Sequence, residues 1–451
     1  MSSALALSLP VGAASGPTDS PKTRRRDTVE NLTLLYIFLT PFQFLIFGPS
    51  LLPKHESGFG LRMSLADLVF PLLLLAFLVS RRAGDATHRS HTGLLFFALF
   101  AAVTLSWFQS IAYWGSLNAF GTGKFVGLIY VIVVAVVLIE VLRDAYIWHQ
   151  AIDALALSGV VAGAIGLVAW TAWSFGTESY LVEHDRLTST MFGDPNIFGS
   201  FMAVTLTLTI ASACWGVPRR RWLWAAGAAV VLVALLLTQS RSGYMGAVVG
   251  LVVLAVWLKP STGFLAVGSS LILIATIGWA GYTWADSPAG LSIPSHSRFS
   301  TETLDSRVGF WRKGVELLRT DAIPGIGVGT FQQINVHEEG FARTHNTYLS
   351  TLLELGLPGA LAVVLLGAGV VRVVRGTHGQ LRKAEHLRLA ATVSGLLGML
   401  VFAFWVDALY QRHLWILIAI ALASANVALS TLREEQSGTI EPQLLMSERV
   451  R

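Results

Sequence analysis

Apolar runs long enough to cross a lipid bilayer recur along most of this chain. A hydrocarbon core about 30 Å thick requires roughly 20 apolar residues per helix. Charged residues make up only 13% of the sequence, about half the share usual in soluble domains. The predicted fold class is therefore all-α, a polytopic membrane protein of about 12 transmembrane helices. The runs lie at about residues 33–52, 62–80, 92–114, 120–141, 150–175, 197–216, 221–239, 241–258, 262–284, 347–372, 388–408 and 412–432.

The positive side chains indicate how these helices are oriented. Residues 1–30 end in a basic cluster before the first apolar run, which is typical of a disordered cytoplasmic tail followed by a signal anchor. With this tail inside, the connections rich in Arg and Lys fall on the cytoplasmic side at almost every turn, as the positive-inside rule requires. Residues 433–451 then form a second cytoplasmic tail. These connections carry Arg81, Arg82, Arg89, Arg143, Arg219, Arg220, Arg221, Lys259, Arg372, Arg375, Arg382, Lys383 and Arg388.

Two outward-facing segments are longer than the usual connection of about 4–6 residues. One segment covers residues 176–196, and the larger covers residues 286–346. Nine predicted transmembrane helices in residues 31–285 precede the larger segment, and three in residues 347–432 follow it. Long loops in a compact structure tend to carry function, so we expect the chemistry in the larger segment.

Residues 306–318 of the larger loop read as an amphipathic helix at the membrane surface. The pattern puts Val308, Trp311, Val315 and Leu318 on one stripe, with Asp305 or Ser306 as the N-cap. The glycines from Pro324 to Gly329 end the helix. Arg307 begins the stripe, where its charge and the N–H groups of the first turn would together bind an anion. The alternative is an arginine that reaches to lipid phosphate.

Gln239 to Gly243 join two apolar runs with almost no spacer. Arg241 is thereby held at or just below the outer membrane boundary, where an arginine is costly unless it is paired. With no carboxylate nearby in sequence, a bound anionic ligand is the simpler partner, although an interface anchor is the alternative.

His345 and Asn346 close the larger loop, directly before the next apolar run. Histidine has the side-chain pKa nearest neutrality, which suits it to accept a proton from a hydroxyl nucleophile. A hydrogen-bonded anchor is the alternative role. The rival histidines are His184, His296 and His337, and a metal site made of His337, Glu338 and Glu339 stays open without a recognised spacing.

Further polar residues lie before the sixth run and within the spans. Asp194, Pro195 and Asn196 read as a turn and helix start. Intramembrane ionisable groups usually line the bundle interior or a cavity, although they could also pair with one another as structural supports. These are Asp67, Lys124 and Glu354.

Taken in order, these motifs resemble those of the O-antigen ligase superfamily, which includes O-antigen ligases and related polysaccharide polymerases. The resemblance covers about residues 186–360, while the first five spans agree only in hydropathy and in the context of Asp67. It rests on Gly193-Asp194-Pro195-Asn196, Ser240-Arg241-Ser242-Gly243, Arg307 with Trp311, Pro324 to Phe331, His345 to Leu349, and Glu354 to Gly359.

The resemblance implies a glycosyltransferase that takes a glycan from undecaprenyl diphosphate on the periplasmic side of the bacterial inner membrane. Arg241 and Arg307 match the family's two diphosphate-binding arginines, and His345 matches its proposed general base. The family implies no metal, and we expect no cofactor. Possible further substrate-binding residues are Arg186, Asp194, Asn196, Ser240, Trp311 and Asn346.

The acceptor separates the alternatives that this resemblance leaves open. A ligase transfers the glycan to lipid A core or another surface glycan, whereas a polymerase joins lipid-linked repeat units. A transporter of lipid-linked glycans would need polar residues through both halves of the bilayer, and the candidate residues cluster on the outer side. A structural subunit would not need Arg241, Arg307 and His345 together. The expected partners are the lipid-linked donor, the acceptor and membrane lipids, with no nucleic acid.

Overall fold

The computed structural model describes residues 27–45, 62–80, 91–183, 186–188, 190, 194–215, 218–258, 302–338 and 344–436. The predicted span at 262–284, most of both predicted tails, His184 and His296 lie outside these residues. So do Glu339 and the side chains of His337 and Glu338, which leaves the alternative metal site untested.

The described part of the chain is mostly helical. Its helices are α1 (Thr28–Leu39), α2 (Leu65–Ser80), α3 (His91–Trp114), α4 (Ala119–Val141), α5 (Ala145–Ser174), α6 (Pro195–Trp215), α7 (Arg221–Leu237), α8 (Arg241–Leu258), α9 (Glu302–Asp321), α10 (Thr330–Glu338), α11 (Thr347–Thr377), α12 (Lys383–Ala403) and α13 (Arg412–Gln436). A short 3-10 helix, Pro218–Arg220, precedes α7. Two antiparallel strand pairs, which hydropathy did not predict, join β1 (Gln43–Leu45) to β2 (Arg62–Ser64) and β3 (Val182–Glu183) to β4 (Arg186–Leu187).

Seven of the described helices are long and apolar enough to cross a membrane: α3, α4, α5, α6, α11, α12 and α13. Four shorter apolar helices, α1, α2, α7 and α8, coincide with further predicted runs. The chain is thus consistent with the predicted all-α polytopic membrane protein, while the total of about 12 spans stays a prediction.

Two predicted runs end earlier than their hydropathy suggested. Helix α1 ends at Leu39 rather than near residue 52, because Pro41 cannot donate the backbone hydrogen bond of a further turn. Helix α12 ends at Ala403 rather than near residue 408. There the Thr347 hydroxyl donates to the Val406 carbonyl and accepts the Ala408 N–H, both at 2.7 Å, which holds this stretch outside a helix.

Helices α6 and α13 form the centre of the bundle and are the most enclosed of the membrane-crossing helices. Three threonines of α6 are buried, yet their hydroxyls are satisfied because each donates to a carbonyl one turn back along the same helix. The centre therefore accepts polar side chains without unpaired groups. These threonines are Thr205, Thr207 and Thr209.

Helices α8 and α12 meet through small residues. A Cβ atom on Gly246 would lie 2.9 Å from the Gly398 carbonyl oxygen, and one on Gly250 would lie 3.2 Å from the Ser394 carbonyl oxygen. Small residues four apart allow this backbone approach in membranes. The contact fixes α8, whose first residue is Arg241, against the bundle.

Two ion pairs cross the bundle interior. Lys124 Nζ lies 2.9 and 3.1 Å from the two carboxylate oxygens of Glu354, whose side chain is only 3% exposed. Arg412 contacts Asp67 through two hydrogen bonds of 3.0 and 2.5 Å, and the Tyr130 hydroxyl donates to the same carboxylate at 2.6 Å. The intramembrane carboxylates predicted from sequence are thus paired, Asp67 with an arginine that sequence reasoning did not single out.

Candidate active site

Helices α6, α8 and α11 begin at the same end of the bundle, beside the α12–α13 connection. Ser240, before α8, hydrogen-bonds to Asn196 of α6, and Thr347 of α11 is bonded to the α12–α13 connection. We call this region the site end, and the end where α5, α7 and α12 begin the opposite end. The predicted site residues of the loops and helix starts all lie at the site end.

The start of α6 is built by Asp194 and Asn196. The Asp194 carboxylate accepts the backbone N–H groups of Asn196 and Ile197 at 2.9 and 3.3 Å, which confirms the predicted turn and helix start. The Asn196 side-chain oxygen accepts hydrogen bonds from Arg186 and Ser240, both at 3.1 Å. These contacts give Asp194, Asn196 and Ser240 structural roles, and their part in substrate binding stays a prediction.

Arg186 ties the α7–α8 turn to this helix start. Its Nε donates to the Thr238 carbonyl at 2.9 Å, and its Nη2 reaches the Gln239 carbonyl at 3.4 Å. Ser240 caps α8, because its hydroxyl accepts the Gly243 N–H at 3.1 Å. The predicted tight connection is confirmed, since α7 ends at Leu237 and α8 begins at Arg241.

Glycine permits this turn to lie close against α6. A Cβ atom on Gly199 would lie 2.7 Å from the Ser240 Cβ, and one on Gly243 would lie 3.0 Å from the Gly199 carbonyl carbon. The close packing fixes the backbone of Arg241, whose side chain is exposed.

The face of helix α9 that packs on the bundle includes Trp311 and Leu318 of the predicted stripe but not its two valines. Val308 and Val315 are exposed, whereas Phe310, Leu317 and Leu318 pack on the cluster of Ile326, Phe331 and Leu353. Gly314 is buried against Leu349 and Leu353. The spacing of residues 307, 310, 311, 314, 317 and 318 is that of one helical face, so Arg307 shares the packed face.

The predicted N-cap of this helix is wrong. Helix α9 begins at Glu302, so Asp305 and Ser306 lie inside it, and Arg307 is past the first four N–H groups. Those groups are the ones without partners in the helix. The combined anion site of arginine and helix start is therefore overturned, and any anion binding by Arg307 depends on its own charge and its neighbours.

Arg241 and Asp194 are among the charged neighbours of Arg307. The pKa of Arg307 is lowered by its burial and by the positive charge of Arg241, while the negative charge of Asp194 opposes the shift. The two arginines come from distant parts of the sequence, yet the fold brings them within electrostatic range. Positive charge is therefore concentrated beside the starts of α6 and α8.

Trp311 connects α9 to the end of the larger loop. It lies one helical turn after Arg307, and its indole N–H donates to the Thr344 carbonyl at 2.8 Å. Its ring packs against Phe404 and Trp405, with ring centroids 5.7 and 6.0 Å apart. The helix that carries Arg307 is therefore fastened next to His345.

His345 occupies a constrained bend before α11. Its φ is 48°, a left-handed conformation unusual for a residue other than glycine. On its C-terminal side, Asn346 caps α11 by accepting the Leu349 N–H at 3.0 Å, which confirms that the helix begins at Thr347. Trp311 and Asn346 thus fix the backbone on either side of the half-buried histidine.

Asp407 is a candidate that sequence reasoning missed. It lies between the two residues that Thr347 holds by hydrogen bonds, and it acts electrostatically on Glu354. Its Oδ1 atom is buried and has no hydrogen-bond partner in the described part of the chain. Sequence reasoning placed Asp407 within the apolar run predicted to continue to residue 408. An acidic residue at the end of such a run was nevertheless an available signal of a functional group.

The glycine-rich segment after α9 anchors the larger loop in the bundle. Gly325, Gly327 and Gly329 all have positive φ, between 74° and 92°, which glycine adopts without strain. A Cβ atom on Gly327 would overlap the backbone of Ser110. The Ile326 N–H donates to the Leu353 carbonyl at 2.9 Å. We call residues 325–329 the glycine anchor.

A family model matches part of the sequence that forms this site. Residues 226–364 match the family model described as O-antigen ligase. The chain thus contains a segment that is similar to an O-antigen ligase family domain. The matched segment includes Arg241, Arg307 and His345, whereas Arg186, Asp194 and Asp407 lie outside it. A search of curated proteins found no match.

The family domain and the apolar helices together support a multi-pass membrane protein of the O-antigen ligase or polymerase type. The domain implies a glycosyltransferase-like activity, with lipid-linked glycans and acceptors as the general class of substrate.

Proposed function

We propose that this protein transfers a glycan from undecaprenyl diphosphate to an acceptor hydroxyl at the periplasmic face of the bacterial inner membrane. The acceptor is lipid A core or another surface glycan, as in an O-antigen ligase. Arg241 and Arg307 bind the diphosphate, and His345 is the general base.

The observation that carries this proposal is the proximity of Arg307 and Arg241. Two like charges repel each other, and the charge of Arg241 disfavours the charged form of Arg307. An anion between the two arginines relieves that repulsion and is attracted by both guanidinium groups at once. A polyprenyl diphosphate fits this requirement, because its tail stays in lipid while its headgroup lies at the membrane boundary.

The chemistry follows from the charge that develops on the leaving group. When the bond from the anomeric carbon to the diphosphate oxygen breaks, the electron pair leaves with the diphosphate. Two guanidinium groups stabilise that charge more in the transition state than in the substrate. The acceptor oxygen attacks the opposite face of the anomeric carbon and loses its proton to His345, so the configuration is inverted.

The fixed surroundings of His345 support its assignment as base. Trp311 and Asn346 hold the backbone on both sides, which limits the positions that the imidazole can take. A base that is held in place needs little reorganisation before it accepts the proton. The Asp407 carboxylate lies on the connection bonded to the same helix start, and we propose that it orients groups around the acceptor.

Polymerisation of lipid-linked repeat units is the second candidate, since the family description covers membrane enzymes of both types. Both reactions use the same donor chemistry and would use the same arginines and histidine. They differ only in the hydroxyl that attacks.

Purified protein in liposomes tests the proposal. Undecaprenyl-diphosphate-linked glycan is supplied with lipid A core or with a second lipid-linked unit, and His345→Ala and Arg307→Ala are compared with the wild type. We expect product on lipid A core that is lost in both variants.

Elongated lipid-linked product would replace the ligase assignment by polymerase. Tight donor binding without transfer to either acceptor would contradict both enzymatic assignments and favour transport. Transfer that persists in His345→Ala, with an unchanged pH profile, would remove the histidine from the role of base.

A further inference from the structure

A cavity lies at the opposite end of the bundle, away from the candidate active site. Its volume is about 490 Å³, within the range of about 300–1,000 Å³ usual for small-molecule sites. It is enclosed by α5, α6, α7 and α12. Apolar side chains, among them Val160, Leu208 and Trp224, line one part, and ionisable groups line another.

The apolar part opens to the exterior of the bundle. Leu157 and Leu223 line the cavity and are 47% and 51% exposed. Leu157 lies on α5, which is long enough to cross a membrane, and Leu223 lies on the shorter apolar helix α7. Exposed leucines on such apolar helices are expected to contact lipid. The apolar part of the cavity is therefore open to lipid where Leu157 and Leu223 border it.

The polar part carries surplus positive charge. Arg388 is bonded to α5, with its Nη1 lying 3.3 Å from the Asp153 carboxylate and donating to the His149 carbonyl at 2.9 Å. Arg220 also lines the cavity and acts electrostatically on Asp153. The cavity lining itself thus holds two arginines and one carboxylate, while Asp144 and the Arg382–Glu385 ion pair lie nearby. The excess positive charge of the lining matches a headgroup with a single negative charge.

His149 also lines the cavity, but its Nε2 atom is buried away from the cavity surface and has no hydrogen-bond partner among the described residues. Recognition of an anionic headgroup therefore depends on the arginines, because phosphate oxygens supply their counter-charge.

We propose that this cavity is a binding site for a lipid with a singly charged phosphate headgroup. The phosphate lies between Arg388 and Arg220, and one lipid chain follows the apolar wall beside Trp224. Basic pockets between transmembrane helices recognise anionic lipids in this way. The site is separate from the proposed transfer reaction and does not depend on it.

Quenching of Trp224 fluorescence measures occupancy directly. The protein is placed in phosphatidylcholine nanodiscs, and phosphatidylglycerol with brominated chains is added in steps. The signal of Trp224 is the difference between the wild type and Trp224→Phe, because the chain has 14 tryptophans. Trp222→Phe is the matched control, since Trp222 is 67% exposed on the same helix and does not line the cavity.

We expect saturable quenching of Trp224 by the anionic lipid, whereas quenching of Trp222 rises in proportion to lipid. Arg220→Gln is expected to weaken the Trp224 response about fivefold, the effect of one basic residue on an anionic lipid. Arg375→Gln, an exposed arginine at the end of α11, removes the same charge and should leave the response unchanged.

Competition identifies the source of the phosphate. Displacement of brominated phosphatidylglycerol by polyprenyl monophosphate, at lower concentration than by unlabelled phosphatidylglycerol, would support the site and name the polyprenyl lipid as its ligand. Equal quenching of Trp224 by brominated phosphatidylcholine would overturn the proposal, because only surrounding lipid is then present. Displacement by inorganic phosphate at the same concentration as by lipid would overturn the proposed role of the lipid chain in binding.

Discussion

Lys124 and Arg307 are both cations held by the fold, but they have opposite surroundings. Lys124 contacts a carboxylate through two hydrogen bonds deep in the bundle. Arg307 lies at the site end, where a second arginine opposes its charge. The first arrangement pairs one cation with one carboxylate, whereas the second places two cations near the single carboxylate of Asp194 and is improved by an added anion. The difference separates charges that stabilise the fold from charges that we propose serve the reaction.

Removal of one partner of the interior pair should have the largest effect on stability. Lys124→Met leaves the Glu354 carboxylate buried without its counter-charge, which costs about 3–5 kcal/mol. The free energy of unfolding, measured by denaturant titration in detergent micelles, should fall by this amount. Lys124→Met combined with Glu354→Leu should recover most of the loss, because no buried charge remains. A single variant as stable as the wild type would contradict the structural role.

Neutralising the opposed arginines should impair transfer and leave the fold intact. Arg307→Gln and Arg241→Gln each remove one positive charge from the proposed diphosphate site, and we expect kcat to fall about 10²- to 10³-fold. Arg312→Gln is the control, because Arg312 is exposed on the same helix. An equal loss in Arg312→Gln would show that the general charge of α9, and not this pair, matters.

A methyl group in the glycine anchor should disturb the packing of both the bundle interior and the candidate active site. Gly327→Ala combines positive φ with overlap on Ser110, and strain of this kind costs about 1–3 kcal/mol. Gly309→Ala offers the matched control, since Gly309 lies in α9 with open space around it, and helix propensity favours alanine there by about 1 kcal/mol. Thermal unfolding of the two variants should shift in opposite directions.

The smallest effect is expected at the link between α9 and the histidine. Trp311→Phe keeps an aromatic ring beside Phe404 but removes the hydrogen bond to the Thr344 carbonyl, which is worth about 1 kcal/mol. The transfer rate should fall about fivefold while donor affinity is nearly unchanged. A fall in donor affinity alone would show that the indole positions Arg307 rather than His345.

Hydropathy predicted the helices well where an apolar run matched a single span. The bounds of α3, α4 and α8 agree with the predicted runs to within one residue. Errors arose where other interactions ended a helix, as at Pro41 and at the Thr347 contacts beyond α12. Side-chain hydrogen bonds between elements distant in sequence leave no periodic signal.

The site was predicted in part for the same reason. The motifs singled out Arg241, Arg307 and His345, whose roles stay proposals, and the caps by Asp194 and Asn346 follow from local sequence rules. On α9, Trp311 and Leu318 of the predicted stripe pack on the bundle, whereas Val308 and Val315 are exposed. Hydropathy cannot distinguish an apolar face that meets protein from one that does not. Asp407 was missed because its position depends on Thr347, 60 residues away.

The glycine anchor has a consequence for exchanging loops between related proteins. Residues 302–338 look like an independent module, yet Gly327 lies against Ser110 of α3, Gly329 against Gly121 of α4, and Gly325 against Gly356 of α11. A loop transplanted from a related protein would have a different backbone shape and would not fit the surface that these residues of the host bundle form. Chimaeras designed to change acceptor choice should therefore carry these three matching backbone positions along with the loop.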